Sequence, residues 1–277
     1  LLLDIMMPEM DGFEVLAYIN KYHWNDTFAV IMISADDTPA NIKRAYDLGA
    51  FDYISRPFDS TIVQRRISNT MFLYARQQRL EKIIAEQFRE QEKNSKLMIS
   101  ILSHIVEFRN GESGLHIQHV NTITKYLLKQ LVQLTDQYPL SKADISLIST
   151  ASALHDIGKI SISDAILNKP SRLTAEEFEV IKTHSVIGAN MLLDLSIEQR
   201  ENPLIKVASE ICRWHHERYD GNGYPDGLKG DEIPIAAQVV ALADVYDALT
   251  TRRSYKEAYS HEKALAMIHA GECGSFN

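Results

Sequence analysis

Five histidines and three acids have the residue types to hold metal ions: His116, His155, His184, His215 and His216, with Glu112, Asp156 and Asp244. Glu112 and His116 stand four apart in EFRNGESGLHIQHV, so on a helix they share one face and reach one ion. His155 and Asp156 are adjacent in ALHDIGK, and neighbours on a helix diverge by about 100°. Both can ligate only at a bend, at a helix end or on two different ions, and a carboxylate's two oxygens can bridge a pair. His184 in IKTHSVIGANML and Asp244 in ALADVYDAL each interrupt an apolar helical run. Singly, such residues read as satisfied core or cap positions. Together, each would need its own partner to offset burial, and shared cations satisfy all of them at once.

The donor set decides the chemistry. Imidazole and carboxylate without thiolate suit Fe, Mn, Zn or Ni, and eight donors are too many for one tetrahedral ion. That predicts a multinuclear hydrolytic centre, in which ions roughly 3.5 to 4 Å apart acidify water and clamp the oxygens of an in-line displacement at phosphorus. A phosphodiester needs such help because its anionic oxygens repel hydroxide. Lys159 follows Asp156 by three residues, and Arg253 and Lys256 stand three apart in TTRRSYK. A forked guanidinium and two ammonium groups fit an anionic substrate beside the metals. The stretch HHERYDGNGYPDG ties the histidine pair to a loop in which Gly221 and Gly223 allow close backbone approach and Pro225 fixes the path.

The elements that must carry these residues are legible in outline. LLLDI is a short strand ending at Asp4, followed by a turn and a helix from about Phe13 to Tyr22. FAVIMIS, residues 28 to 34, reads as a buried strand, TPANIKRAYDLGA as a helix closed by Gly49, and FDYIS as a strand before Arg56 and Pro57. Strand and helix alternate, which predicts a parallel α/β sheet with Asp4, Ser34 and Arg56 at the carboxyl ends of strands. From about Ser60 to Lys96 there is no glycine or proline, and Leu73, Leu80, Ile84 and Phe88 recur at helical spacing. This is an extended helix, read either as a simple connector or as a parallel dimeric coiled coil. Beyond residue 97 the pattern is helical almost throughout. The expected class is α+β overall: an incomplete α/β half over 1–60, a connecting helix over 61–96 and an all-α bundle over 97–277.

Bulk properties narrow the function. The 277 residues are 45% hydrophobic and 24% charged, as in globular proteins. A net charge of -8 and a pI near 5.7 argue against duplex nucleic acid as a partner. Cys212 and Cys273, far apart in sequence, indicate neither a disulfide framework nor a thiolate metal site, which fits a reducing cytoplasm. No uncharged apolar run reaches the length of about 18 residues expected of a membrane span. The opening LLLDIMMPEMDG has no basic leader and reads as the middle of a domain, and GECGSFN stops without a cap, so a piece of a longer protein is expected.

With its motifs in view, the first 60 residues resemble the second half of a response-regulator receiver domain, a flavodoxin-like fold. DIMMPEMDG surrounds a phospho-acceptor at Asp4, Ser34 is the switch hydroxyl, Tyr53 the switch aromatic and Arg56 the basic residue before proline. Two features depart from the family: its usual lysine is Arg56 here, and the strand bearing its Mg-binding acidic pair is absent from this sequence. The resemblance implies a sensor histidine kinase upstream and Mg for phosphorylation in the full-length protein.

From about Leu97 onward, ESGLH, LHDIGK, KTHS, HHERYDGNGYPDGLKG, IP and ALADVYDALTTRRSYK follow in the order of the HD-GYP family of metal phosphohydrolases. What the resemblance implies is hydrolysis of cyclic di-GMP to linear pGpG and onward to GMP. Carried over by position, the metal ligands are Glu112, His116, His155, Asp156, His184, His215, His216 and Asp244, with Asp156 bridging. Asp156 and Lys159 are implied as catalytic, and Lys159, Asp247, Arg253 and Lys256 as the substrate contacts. Glu112 resembles the trinuclear members, which implies two or three divalent ions, Fe or Mn. Gly223, Tyr224 and Pro225 form the intact GYP loop, whose partner is substrate, lid or another protein. Two other functions compete: hydrolysis of a different cyclic dinucleotide or nucleotide, and a non-catalytic signalling scaffold. Degenerate scaffolds should lose ligands, and none is lost here.

Overall fold

The computed structural model describes residues 1–24, 27–109, 115–252 and 257–277. The chain divides into two compact units, Leu1–Glu92 and Lys93–Asn277.

In the first unit, strands β1 (Leu2–Asp4), β2 (Ile31–Ser34) and β3 (Asp52–Ser55) form a parallel sheet in the order β1-β2-β3. Leu3 pairs with Met32, which pairs in turn with Tyr53. Helices α1 (Gly12–Lys21) and α2 (Pro39–Asp47) supply the crossovers. Helix α1 starts where Asp11 accepts from the Glu14 N–H and the Glu14 carboxylate accepts from the Asp11 N–H, a reciprocal cap. Its Phe13, Leu16 and Ile19 pack with Leu3, Val30 and Met32 into one core. The expected strand over 28–34 is shorter: β2 begins at Ile31, and Val30, buried just before it, accepts from the Phe51 N–H at 2.7 Å.

The long helix α3 spans Ser60–Arg109. It continues past the boundary drawn at residue 97, since no glycine or proline occurs before Gly111. Leu73, Leu80, Ile84 and Phe88 are all exposed.

The second unit is helical. Its elements are α4 (His116–Leu134), α5 (Lys142–Ala151), α6 (Asp164–Leu167), α7 (Ala175–Leu193), α8 (Ile197–Arg200), α9 (Pro203–Trp214), α10 (Ile235–Thr250) and α11 (His261–His269). Val120 and Leu128 of α4, Ile145 and Ile148 of α5, Ala208 and Ile211 of α9, and Val240 and Ala243 of α10 share one core. Helix α10 is the most enclosed: its buried residues fall on several faces, as expected of a helix whose apolar residues go all round. Asn202 and Pro203 start α9, and a Thr174–Glu177 capping box starts α7, so both begin at defined residues. Arg109 ties the end of α3 to the following segment, donating to the Ile160 carbonyl at 2.6 Å and to Asp164 at 2.7 Å. No described helix is long and apolar enough to cross a membrane.

Candidate metal centre

The adjacent His155 and Asp156 lie where α5 breaks. Helix α5 ends at Ala151, a 3-10 turn covers Ser152–Leu154, and a second covers Ile157–Ser161. This break removes the divergence that a regular helix would impose, and His155 Nε2 comes within 3.1 Å of Asp156 Oδ2. The second turn presses against α7 with no room between them: a Cβ on Gly158 would lie 1.9 Å from the His184 carbonyl oxygen. The glycine thus brings the backbone bearing Asp156 onto the helix bearing His184, whose Nε2 is 3.2 Å from Asp156 Oδ1. His215 caps the C-terminal end of α9, and His216 follows in the turn beyond it. Cys212, fully buried, directs its thiol at the Leu154 carbonyl at 3.0 Å and links α9 to the break beside His155.

Two overlapping groups of ligand atoms result. Asp156, His184, His215 and His216 form one, and His116, His155 and Asp156 the other, each with its atoms within 4.8 Å of one another. Asp156 belongs to both. Asp244, on α10, extends the second group, with Oδ1 3.4 Å from His116 Nε2.

Ring orientation is set from behind. His155 Nδ1 donates to the Ser152 carbonyl at 2.8 Å, His184 Nδ1 to that of Ile181 at 2.7 Å, and His215 Nδ1 to those of Ile211 and Cys212 at 2.9 and 3.0 Å. A carbonyl only accepts, so Nδ1 carries the hydrogen in each case, and a neutral ring then turns an Nε2 lone pair toward the centre. His184 Nε2 and His215 Nε2 face each other at 3.5 Å. Among the described residues, His155 Nε2 and Asp156 Oδ1 are buried without hydrogen-bond partners. Opposed lone pairs and orphaned buried acceptors are unfavourable alone and are satisfied by a cation between them, so the residues present fit divalent metal ions.

Electrostatics follow the same plan. Burial opposes the charge of Asp156, but Lys159, with Nζ 2.7 Å from Oδ2, and His155 outweigh it and hold the carboxyl well below the usual range. Burial likewise opposes ionisation of Asp244, and the hydrogen bond with His116 and the charge of His155 reverse the balance. Burial, then the charge of His155, pulls His215 down to about 3. Burial and His215 hold His216 well below the ordinary histidine value. At His155 burial is overcome by Asp156, which leaves its pKa raised. The centre therefore offers ionised carboxylates and two firmly neutral imidazoles near neutral pH.

Asp247 differs from its expected place among substrate contacts. It is 2% exposed, and its oxygens are taken by His116 Nδ1 at 2.6 Å, His119 Nδ1 at 2.7 Å and the Thr251 hydroxyl at 2.9 Å. It stands behind His116 as the carbonyls stand behind the other rings. Glu112, Arg253 and Lys256 lie outside the described residues. In the first unit, Asp4 meets Arg56 at 3.1 Å, Ser34 is fully buried, and the Tyr53 hydroxyl donates to the Asp36 carbonyl. Two buried acids border the centre: Asp247, one helical turn after Asp244, and Glu217, directly after the histidine pair, which residue type alone did not single out.

Comparison with known proteins agrees with this geometry. Residues 96–273 match the HD domain family, and residues 1–68 match the response regulator receiver domain. The chain belongs to the HD domain family, joined here to receiver sequence. A probable cyclic di-GMP phosphodiesterase of Vibrio cholerae is 37% identical over all of this chain and 65% of its own length. The cyclic di-GMP phosphodiesterase response regulator RpfG of Xanthomonas campestris is 34% identical over 98% of this chain and 70% of its own. A cyclic di-GMP phosphodiesterase of Thermotoga maritima is 33% identical over 97% and 73%. The chain thus spans about two thirds of the length of these relatives.

Proposed function

We propose that this chain hydrolyses cyclic di-GMP to linear pGpG, and pGpG onward to GMP, under control of a phosphorylatable receiver. The observation that carries the reading is the convergence of imidazole Nε2 atoms and Asp156 oxygens in two overlapping buried groups, in which His155 Nε2 and Asp156 Oδ1 have no hydrogen-bond partner among the described residues. His116, His155, His184, His215, His216, Asp156 and Asp244 would hold two or three divalent ions, Fe or Mn, with Asp156 common to both ligand groups and Glu112 completing the set. When bound, such ions supply an activated water and neutralise phosphodiester charge. Lys159, with its ammonium beside Asp156, supplies a cation to the phosphate, and Arg253 and Lys256 add two more. Water adds across the P–O3′ bond: its oxygen goes to phosphorus and a proton to the leaving 3′-oxygen.

The organisation that serves this is the receiver half over 1–60, the connecting helix over 61–96 and the phosphodiesterase domain over 97–277. Asp4 would be the phospho-acceptor of a sensor kinase, with Ser34, Tyr53 and Arg56 as its switch. The exposed Leu73, Leu80, Ile84 and Phe88 suit a second copy of α3, the GYP loop is open to a protein partner, and the cytoplasm is the compartment where kinase and substrate meet. Incubating the Mn- or Fe-loaded protein with cyclic di-GMP and separating the products by chromatography tests the reading. Linear pGpG is expected, whereas turnover confined to another cyclic dinucleotide would move the substrate assignment.

A further inference from the structure

We propose that the GYP loop is a brace that positions the ring of His216, with Tyr224 and Glu217 as its positioning residues. The proposal rests on the hydrolase reading and assigns the loop a task within it.

His216 is the exception among the site histidines. His116, His155, His184 and His215 each have Nδ1 tied to a carboxylate or carbonyl. Among the described residues His216 makes no ring hydrogen bond, and it lies just past the end of α9, beyond the helix ladder. A ring so placed needs another restraint if its nitrogen is to face the same point as its neighbours. Ring contacts provide it. Tyr224 stacks on His216 with centroids 4.6 Å apart and planes 29° apart, and His184 meets it edge-on at 5.1 Å. The Lys182 ammonium lies 5.5 Å from the Tyr224 centroid, a cation–π contact that steadies the tyrosine in turn.

The loop is built to deliver that ring. Glu217, directly after His216, is 2% exposed and accepts from the Asp226, Gly227 and Leu228 N–H groups at 2.8, 3.1 and 3.1 Å. A buried carboxylate is costly unless its oxygens are satisfied, and here backbone donors of the loop satisfy them. The Tyr224 N–H donates to the His216 carbonyl at 3.3 Å. At Gly223 a Cβ would lie 2.3 Å from the Arg218 nitrogen and 2.4 Å from Glu217 Cα, so the loop rests directly on the backbone that follows the histidines. Asp226 fastens the far end to the last turn of α9, accepting from Arg213 at 2.7 and 2.8 Å and from Trp214 Nε1 at 2.8 Å. These hydrogen bonds and backbone contacts thus return to residues 213–218, and the tyrosine face is what the loop presents to His216.

The face, not the hydroxyl, is the working part, so Tyr224→Phe and Tyr224→Leu separate a positioning role from simple packing. In the metal-free full chain, NMR of the His216 ring protons should show an upfield ring-current shift in the wild type and Tyr224→Phe, and its loss in Tyr224→Leu. Titration with Mn²⁺ should show wild-type affinity in Tyr224→Phe and a loss of about 10- to 100-fold in Tyr224→Leu, the range for removing a group that orients a ligand. Glu217→Gln keeps the size but turns an amide donor toward backbone donors. It should weaken Mn²⁺ binding in the same direction and alter Trp214 fluorescence in a Trp24→Phe background. Tyr224→Leu with unchanged His216 shifts and unchanged Mn²⁺ affinity would overturn the proposal while leaving the hydrolase reading intact. Wild-type protein that binds no Mn²⁺ overturns both.

Discussion

Each unit contains an aspartate paired with a basic residue at its candidate site. Asp4 meets Arg56 at 3.1 Å with side chains 33% and 49% exposed, whereas Asp156 meets Lys159 at 2.7 Å with side chains 15% and 16% exposed. The chemistry of the pairs is similar, but the surroundings are not. Water and salt screen the first, and exposed pairs of this kind contribute about 0 to 1 kcal/mol. The second is enclosed with three imidazoles, where solvent cannot substitute for a lost partner. A charge at the surface can be switched by a phosphoryl group at little structural cost. A charge inside a closed cluster commits everything around it.

That contrast can be broken most forcefully at Asp156. Asp156→Ala leaves both ligand groups without their shared member, and hydrolysis of cyclic di-GMP should fall about 10³-fold or more, with loss of bound metal by elemental analysis. Chelation is the next test. Stripping the metal from loaded protein should end turnover and lower stability by about 3 kcal/mol for a site held at a hundredfold excess over Kd, with recovery on adding Mn²⁺, read by thermal unfolding. Glu217→Ala should destabilise by about 2 to 3 kcal/mol in urea unfolding, because three loop N–H groups lose a charged acceptor.

A smaller effect comes with pH. His215 is held at about 3 and His216 well below the ordinary value of 6.5, so the unfolded metal-free chain binds protons in that interval that the folded chain refuses. Stability of the metal-free protein should therefore be greatest above pH 6.5 and fall as the pH drops toward 3. His155, raised by Asp156 against the cost of burial, acts in a different window: the stability it adds is complete below pH 6.5 and is lost as the pH rises through its folded value. Last, Arg56→Ala should change the stability of the first unit by less than about 1 kcal/mol. A loss as large as that of Glu217→Ala would erase the contrast between the two sites.

Much of this was legible from residue type, and the exceptions share a cause. An adjacent His155 and Asp156 cannot both face one point on a regular helix, which left a bend, a helix end or two different ions, and the break after α5 is the first of these. His215 and His216 announced themselves by type, as did the parallel sheet by its alternation. The shorter β2 and the longer α3 are matters of boundary, decided by pairing partners and by the absence of any interruption before Gly111. Asp247, expected among the substrate contacts, and Glu217, not singled out, have partners that residue type does not announce: a ring nitrogen 131 residues away and backbone N–H groups. Backbone donors have no letter in a sequence, and a carboxylate that serves them looks like any surface acid.

The contact of Gly158 with the His184 carbonyl and the Gly188 backbone bears on how such a site can drift. Side chains around a cluster usually change in compensated steps, one shrinking as another grows. Here the opposing surface is main chain, which no substitution can shrink. A lineage that replaced Gly158 would have to part α7 from the turn carrying Asp156, and only reversion would bring them back. No smaller side chain opposite can restore that fit, because the atoms a Cβ would meet belong to the backbone.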